Sequence, residues 1–304
     1  MTKAIFTKGM CKRFELFDTF IQVALNAGWR LREGADLTNR LVEIYTDGYN
    51  GDKHLAVQLN AFDGDWGEVS DCRKTDYADA TMRMGVLNSP TTFYSVDGFD
   101  TFCFFPGRQY DSNNYTGARK YNRLWEMEYF YYADKEVIIF LVKPFRYTGL
   151  SNTLIYLGFP EQSFIEESKR NERKPYSGAI YANSGHSGRF TGQNKCKVSD
   201  NPKNLLEVEN AITIAQPTMS IISPLSPNVD NKFVLSEVFY GDSNTGTRGR
   251  LGRVYFLQPG GMLDGDIIHI EVNNEIQKYR YTTLGGSSNN YTSFPTQAVA
   301  LRIE

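Results

Sequence analysis

The sequence predicts a mainly β protein, a β-rich α+β chain of antiparallel sheets in β-sandwich-like lobes with one amphipathic N-terminal helix. Three observations predict it. Apolar residues recur with period two through much of the 304-residue chain, the spacing of a strand that hides one face. Asn or Asp beside Gly or a second Asn interrupts those runs where a hairpin would turn. A sustained helical spacing occurs over residues 12–28.

In that helix, "KRFELFDTFIQVALNAG", Phe14, Phe17, Ile21, Ala24 and Leu25 form one stripe over about four turns. Gly28 is a natural stop. "LVEIYTDGYNGDKHLAVQLNAF" then reads as strand, Asn50-Gly51 turn, strand. Residues 63–90 are polar and broken, and read as a surface excursion with one short helix. "TTFYSVDGFDTFCFF" gives a second hairpin, turned at Asp97-Gly98.

A third hairpin runs in through "LWEMEYFYY", turns at "ADKE" and runs out through "VIIFLV". Trp125, Met127, Tyr129 and Tyr131 share one face of the incoming strand. The outgoing strand is apolar on both faces, since Ile138, Phe140 and Val142 alternate with Val137, Ile139 and Leu141. It must therefore lie centrally, beneath a second sheet or a helix. Pro144 lacks the donor that a central ladder needs and ends the pairing.

From 161 to 203 the composition shifts to charge, Gly, Ser and Asn, a loop-rich passage between lobes. The expected division is an N-terminal helix and β lobe at 1–160, this passage at 161–203, and a C-terminal β lobe at 204–304. In the last lobe "KFVLSEVFY" and "RVYFLQP" are strands separated by a mobile connector, "GTRGRLGR". "GDIIHIEVNNEIQKYRYTTL" is a hairpin turned at Asn273-Asn274, and "AVALRIE" a closing strand.

Thirty-three Lys plus Arg against 35 Asp plus Glu leave a formal charge of -2, so no long-range pull toward nucleic acid or an anionic membrane is expected. The 19 Tyr and 20 Phe suit strands and contact surfaces. Cys11, Cys72, Cys103 and Cys196 show no CxxC or Cys/His spacing, and read as buried free thiols. The opening "MTKAIFTKGMCKRFELF" lacks the apolar run and cleavage site of a signal peptide. Synthesis in a cytoplasm without signal-peptide export is the expectation.

Catalysis finds little support. "SGHSGR" sets His186 beside Ser187, but a nucleophile elbow wants glycine where Arg189 stands, and the segment lies in a polar loop. His54 and His269, each within an expected strand, read as packed or surface residues. Asp63 with Asp65, and Asp264 with Asp266, flank glycines and read as solvated turn residues. Gly246, Gly249 and Gly252 among Arg248, Arg250 and Arg253 lack the context of a phosphate loop. Those arginines are expected to reach acidic neighbours. No catalytic residue, cofactor or metal site is expected.

The segments "ALNAGW", "EYFYYADKEVIIFLVKPFRYTGLSNTLIYLGF", "PYSGAIYANSGHSG", "GRLGRVYFLQ" and "AVALRIE", in that order, resemble a family of tailed-bacteriophage virion structural proteins. In that family a strand pair leads through a tyrosine-bearing turn into "YLGF", and a Pro-Tyr plus Gly/Ser loop follows. The matching residues here are Val137 to Val142, Tyr156 to Phe159, and Pro175 to Ser187. Residues 63–120 have no counterpart and read as a particle-specific insertion. The resemblance implies a virion part at the tail, neck or baseplate, assembled in the host cytoplasm, with other virion proteins and copies of itself as partners.

Loops at 63–90, 106–123 and 161–203 are the expected contact regions. Within them Trp66, Tyr110, Tyr115, Arg119, Arg189 and Phe190 are the expected contact residues, joined by Arg248 and Arg250, because interfaces favour aromatic and Arg side chains. The alternative is a carbohydrate- or receptor-binding β module that stacks sugar rings on Trp66, Tyr110 and Tyr115.

Overall fold

The computed structural model describes residues 5–51, 53–62, 79–95, 101–103, 126–145, 152–159, 161–162, 178–183, 195–199, 212–215, 235–242, 246–257, 262–284 and 297–303. Strand β1 (Ile5–Lys12) passes through a 3-10 turn at Arg13–Glu15 into helix α1 (Leu16–Asn26). Strands β2 (Arg30–Leu31), β3 (Leu41–Thr46), β4 (Leu55–Phe62), β5 (Asp79–Ser89), β6 (Thr92–Ser95) and β7 (Thr101–Cys103) form one sheet. Next come β8 (Glu126–Ala133), β9 (Val137–Pro144), β10 (Thr153–Gly158), β11 (Glu161–Gln162), β12 (Gly178–Asn183), β13 (Lys195–Ser199) and β14 (Ile212–Ala215). The chain closes with β15 (Ser236–Asp242), β16 (Gly246–Leu257), β17 (Ile267–Val272), β18 (Glu275–Leu284) and β19 (Gln297–Arg302).

The second sheet is one antiparallel ladder in the order β1-β8-β9-β10-β12-β13-β14-β15-β16-β19-β18-β17, with β11 paired to β16. It folds back on itself, so that its C-terminal half covers its N-terminal half. β9 lies between β8 and β10 in the ladder and is buried along both faces. Ile138, Phe140 and Val142 join a core with α1 and with Val42, Val57 and Met82 of the smaller sheet. Val137, Ile139 and Leu141 join a second core with Val254 and Phe256 of β16 and Val299 of β19. The two apolar faces thus have two different covers, a helix-plus-sheet layer and a sheet. A third core, with Ile268, Tyr279 and Tyr281, lies on the far side of β17–β18–β19.

Local chemistry accounts for the element ends. The Lys12 amide donates to Glu15 Oε2 at 2.7 Å, which turns the chain out of β1 and into the helix. Gly28 takes φ +93°, the left-handed conformation that ends a helix cheaply when no Cβ is present. Ordered helix is shorter than the expected 12–28, because Arg13–Glu15 adopt the tighter 3-10 turn and the residues before them pair with β8. β1 itself was not legible as a strand. Its alternation is interrupted by Gly9 and two lysines.

Several expected loops are strands. Residues 79–89 form β5, with no helix, and its first part, 79–85, pairs with β4, because Ala80, Met82 and Met84 alternate into the first core. Among the described residues β6 and β7 pair not with each other, as the expected second hairpin would have them, but each with β5, in tandem; the turn is at Pro90-Thr91 between β5 and β6, and Asp97-Gly98 lies outside the described residues. Asn50-Gly51 does not form a two-residue turn. Register places Thr46 opposite Leu55, and the intervening loop is held from outside: Thr46 Oγ1 donates to the Lys135 carbonyl at 2.5 Å and Lys53 Nζ meets Glu136 at 2.7 Å. Within 161–203, the passage expected to be loop-rich, lie β11, β12 and β13. "GTRGRLGR" belongs to β16 and is no connector.

Candidate interaction surface

Two strands end the long ladder, β1 and β17, and they differ in what they expose. β1 pairs with β8 from Ile5 opposite Ala133 to Lys12 opposite Glu126. Lys8, Met10 and Lys12 are exposed along one of its faces. Lysines on an edge strand oppose pairing with another chain, since each would have to be desolvated. β17 carries no lysine or proline.

β17 and β18 are joined by Asn273 and Asn274 at φ +51° and +64°, the two-residue turn whose twist matches its strands. The hairpin is fixed from below by Asp264. Its Oδ1 accepts from the Thr283 amide at 2.7 Å and from the Thr282 and Thr283 hydroxyls at 3.1 Å. Its Oδ2 accepts from Asn152 Nδ2 at 2.8 Å and lies 3.1 Å from Lys143 Nζ. Burial alone would raise this carboxyl, but the Thr283 amide, Asn152 and Lys143 outweigh it and hold the acid below its ordinary range. Asp264 is therefore a bonded anchor between β9, the start of β10 and β18, not the solvated turn residue expected; Asp266 is exposed and accepts from the Leu263 amide at 2.8 Å.

Above that anchor apolar side chains are exposed among polar ones. Leu263 is 77% exposed, Ile276 67%, Ile267 42% and Val272 37%. Four of the eight large apolar side chains exposed among the described residues thus lie on or just before one hairpin, Leu263 and Ile267 toward its base and Val272 and Ile276 beside its turn. Arg280 lays its guanidinium over the Phe130 ring at 3.4 Å, which ties the same hairpin to β8.

The expected contact residues divide into three groups. Trp66, Tyr110, Tyr115, Arg119, Arg189 and Phe190 lie outside the described residues, as do His186, Ser187, Asp63 and Asp65. Arg248 has its backbone in β16. Arg250 reaches acidic neighbours within its own chain, Glu161 and Glu237. Two sequence signals mark the hairpin: consecutive apolar residues at 267 and 268, which necessarily face opposite sides of a strand, and Ile276 just after the turn.

Other chemistry-bearing groups are accounted for by structure. Burial pushes the Cys11 thiol up to about 11, so it stays protonated and unreactive at neutral pH. His54 lies in the loop before β4, its Nδ1 3.0 Å from Asp47 Oδ1. His269 is exposed on β17. Among the described residues no three His, Cys, Asp or Glu side chains come together as a metal site, and no helix is long and apolar enough to cross a membrane. No protein-family model matches the chain, and no curated protein matches it.

Proposed function

We propose that the chain is a structural component of a tailed-phage virion, a tail, neck or baseplate protein that acts through contacts with copies of itself and with other particle proteins. The observation that carries this reading is the division of labour in the ladder. β9 is buried on both faces by two different layers, while four of the eight large apolar side chains exposed among the described residues lie on or just before the terminal hairpin. A framework fixed in its middle and apolar at one end is suited to assembly. The sequence resemblance supplies the setting, through "EVIIFLV" on β9 and "YLGF" at the end of β10.

Mass spectrometry of purified particles tests the reading. The chain should be found at a fixed multiple-copy ratio to the other particle proteins. Its absence from mature particles would refute the proposal.

A further inference from the structure

We propose that the free edge of β17 is a self-association surface, at which a second copy of this chain pairs its own β17 antiparallel about a twofold axis through Ile270. The inference rests on the assembly reading for its setting and goes further by naming the partner, the strand and the register.

Hydrogen-bonding geometry comes first. Val272 lies opposite Glu275 across the two-residue turn, so these two close the hairpin as a hydrogen-bonded pair. Bonding alternates along an antiparallel strand, so Ile268, Ile270 and Val272 bond to β18. The amides and carbonyls of Ile267, His269 and Glu271 point the other way, and among the described residues β17 pairs with β18 alone. That leaves an outward row of peptide groups suited to a further strand.

The edge is also undefended. Its pairing with β18 runs without a bulge, and it lacks the lysines that guard β1 at the opposite end of the ladder. Ile267 and Val272 are exposed, which is a liability on a strand meant to stay alone.

Self-complementarity selects the register. Two sheets joined about a twofold axis keep each residue on its own face, so the axis must pass through a residue position. Centred on His269, the pairing would set the two histidines against each other and Glu271 against Ile267 of the second copy. Centred on Ile270, it sets Glu271 against His269 of the second copy, twice by symmetry. Lys278 stands beside His269 in the β17–β18 register and adds positive charge at each of those meetings. On the other face Ile268 meets Val272 of the second copy and Ile270 meets its counterpart, which extends the third core across the junction. The Ile270 register satisfies both faces at once.

Light scattering coupled to size-exclusion chromatography of the full chain decides the matter. The wild-type protein should show twice the mass of one chain. Glu271→Lys should lose the dimer by setting lysine against histidine, and the exchanged double variant His269→Glu with Glu271→His should recover it. His269→Pro removes an outward amide that β18 does not use, and should also yield single chains with an unchanged far-ultraviolet circular dichroism spectrum. A wild-type protein of single-chain mass at every concentration, or a dimer that survives both Glu271→Lys and His269→Pro, would overturn the inference. Absence from particles would refute the assembly reading and leave this result standing by itself.

Discussion

β9 and β17 are alike in composition and opposite in circumstance. "VIIFLVKP" and "IIHIEV" are both rich in Ile and Val, and both place apolar side chains on each face. β9 has a strand on either side and a layer over either face, and only Lys143 among its eight residues is not fully buried. Among the described residues β17 has one strand beside it, and of its six residues only Ile268 is buried. An apolar strand with two covered faces is structure; the same pattern at a ladder's end leaves apolar side chains exposed. Position in the ladder decides which.

The sharpest way to break the β9 side of this contrast is Phe140→Ala. The Phe140 ring meets Phe20 edge-on at 5.3 Å and lies near-parallel to Tyr129 at 5.5 Å, so its loss opens a cavity between helix and sheet. Denaturant unfolding should show a cost of about 3–5 kcal/mol. Gly158→Ala comes next. Gly158 takes φ +151° and a Cβ there would stand 2.3 Å from the Glu136 carbonyl, against backbone that cannot move without disturbing the start of β9. A loss of about 1–3 kcal/mol is expected from the strain, read in the same unfolding assay.

Asp264→Asn sharpens the comparison at the boundary between the two regions. It leaves the shape of the anchor and removes its charge, with an expected cost of about 1–2 kcal/mol at neutral pH. The Asp264 carboxyl is held below its ordinary value in the folded protein. Its contribution is therefore fully present above the unfolded value of about 3.9 and is lost as pH falls through the lower folded value. Unfolding midpoints of wild type and variant, measured between about pH 7 and pH 3, should converge toward the acid end. A gap that stays constant would show that charge is not what Asp264 supplies.

Ile276→Ser should have the smallest effect. The side chain is 67% exposed, so stability should change by no more than about 0.5 kcal/mol. A larger loss would place Ile276 in the core and remove it from the apolar surface.

How much of this was legible in the sequence follows from the same contrast. The central position of β9 could be read because a doubly apolar strand admits few alternatives, and the Asn273-Asn274 hairpin because its turn chemistry is local. β5 was obscured because Thr81 and Arg83 alternate with its inward methionines and make the segment read as polar. Asn50-Gly51 carried the usual signal of a tight turn, yet contacts from Lys135 and Glu136, some 85 residues further along, set the loop. The role of Asp264 was hidden for a similar reason: its partners Lys143 and Asn152 lie more than a hundred residues away in sequence. The aromatic and arginine contact residues expected in loops lie outside the described residues; the exposed apolar side chains of the edge hairpin are hard to read because β-branched residues there resemble ordinary strand.

Amide hydrogen exchange resolved by residue, followed as protein concentration rises, tests the contrast most directly. The account predicts that the amides of β9 exchange slowest at every concentration, while those of His269 and Glu271 exchange fast in dilute protein and slow together as copies meet. Equal protection of β9 and β17 in dilute protein, or outward β17 amides indifferent to concentration, would contradict it.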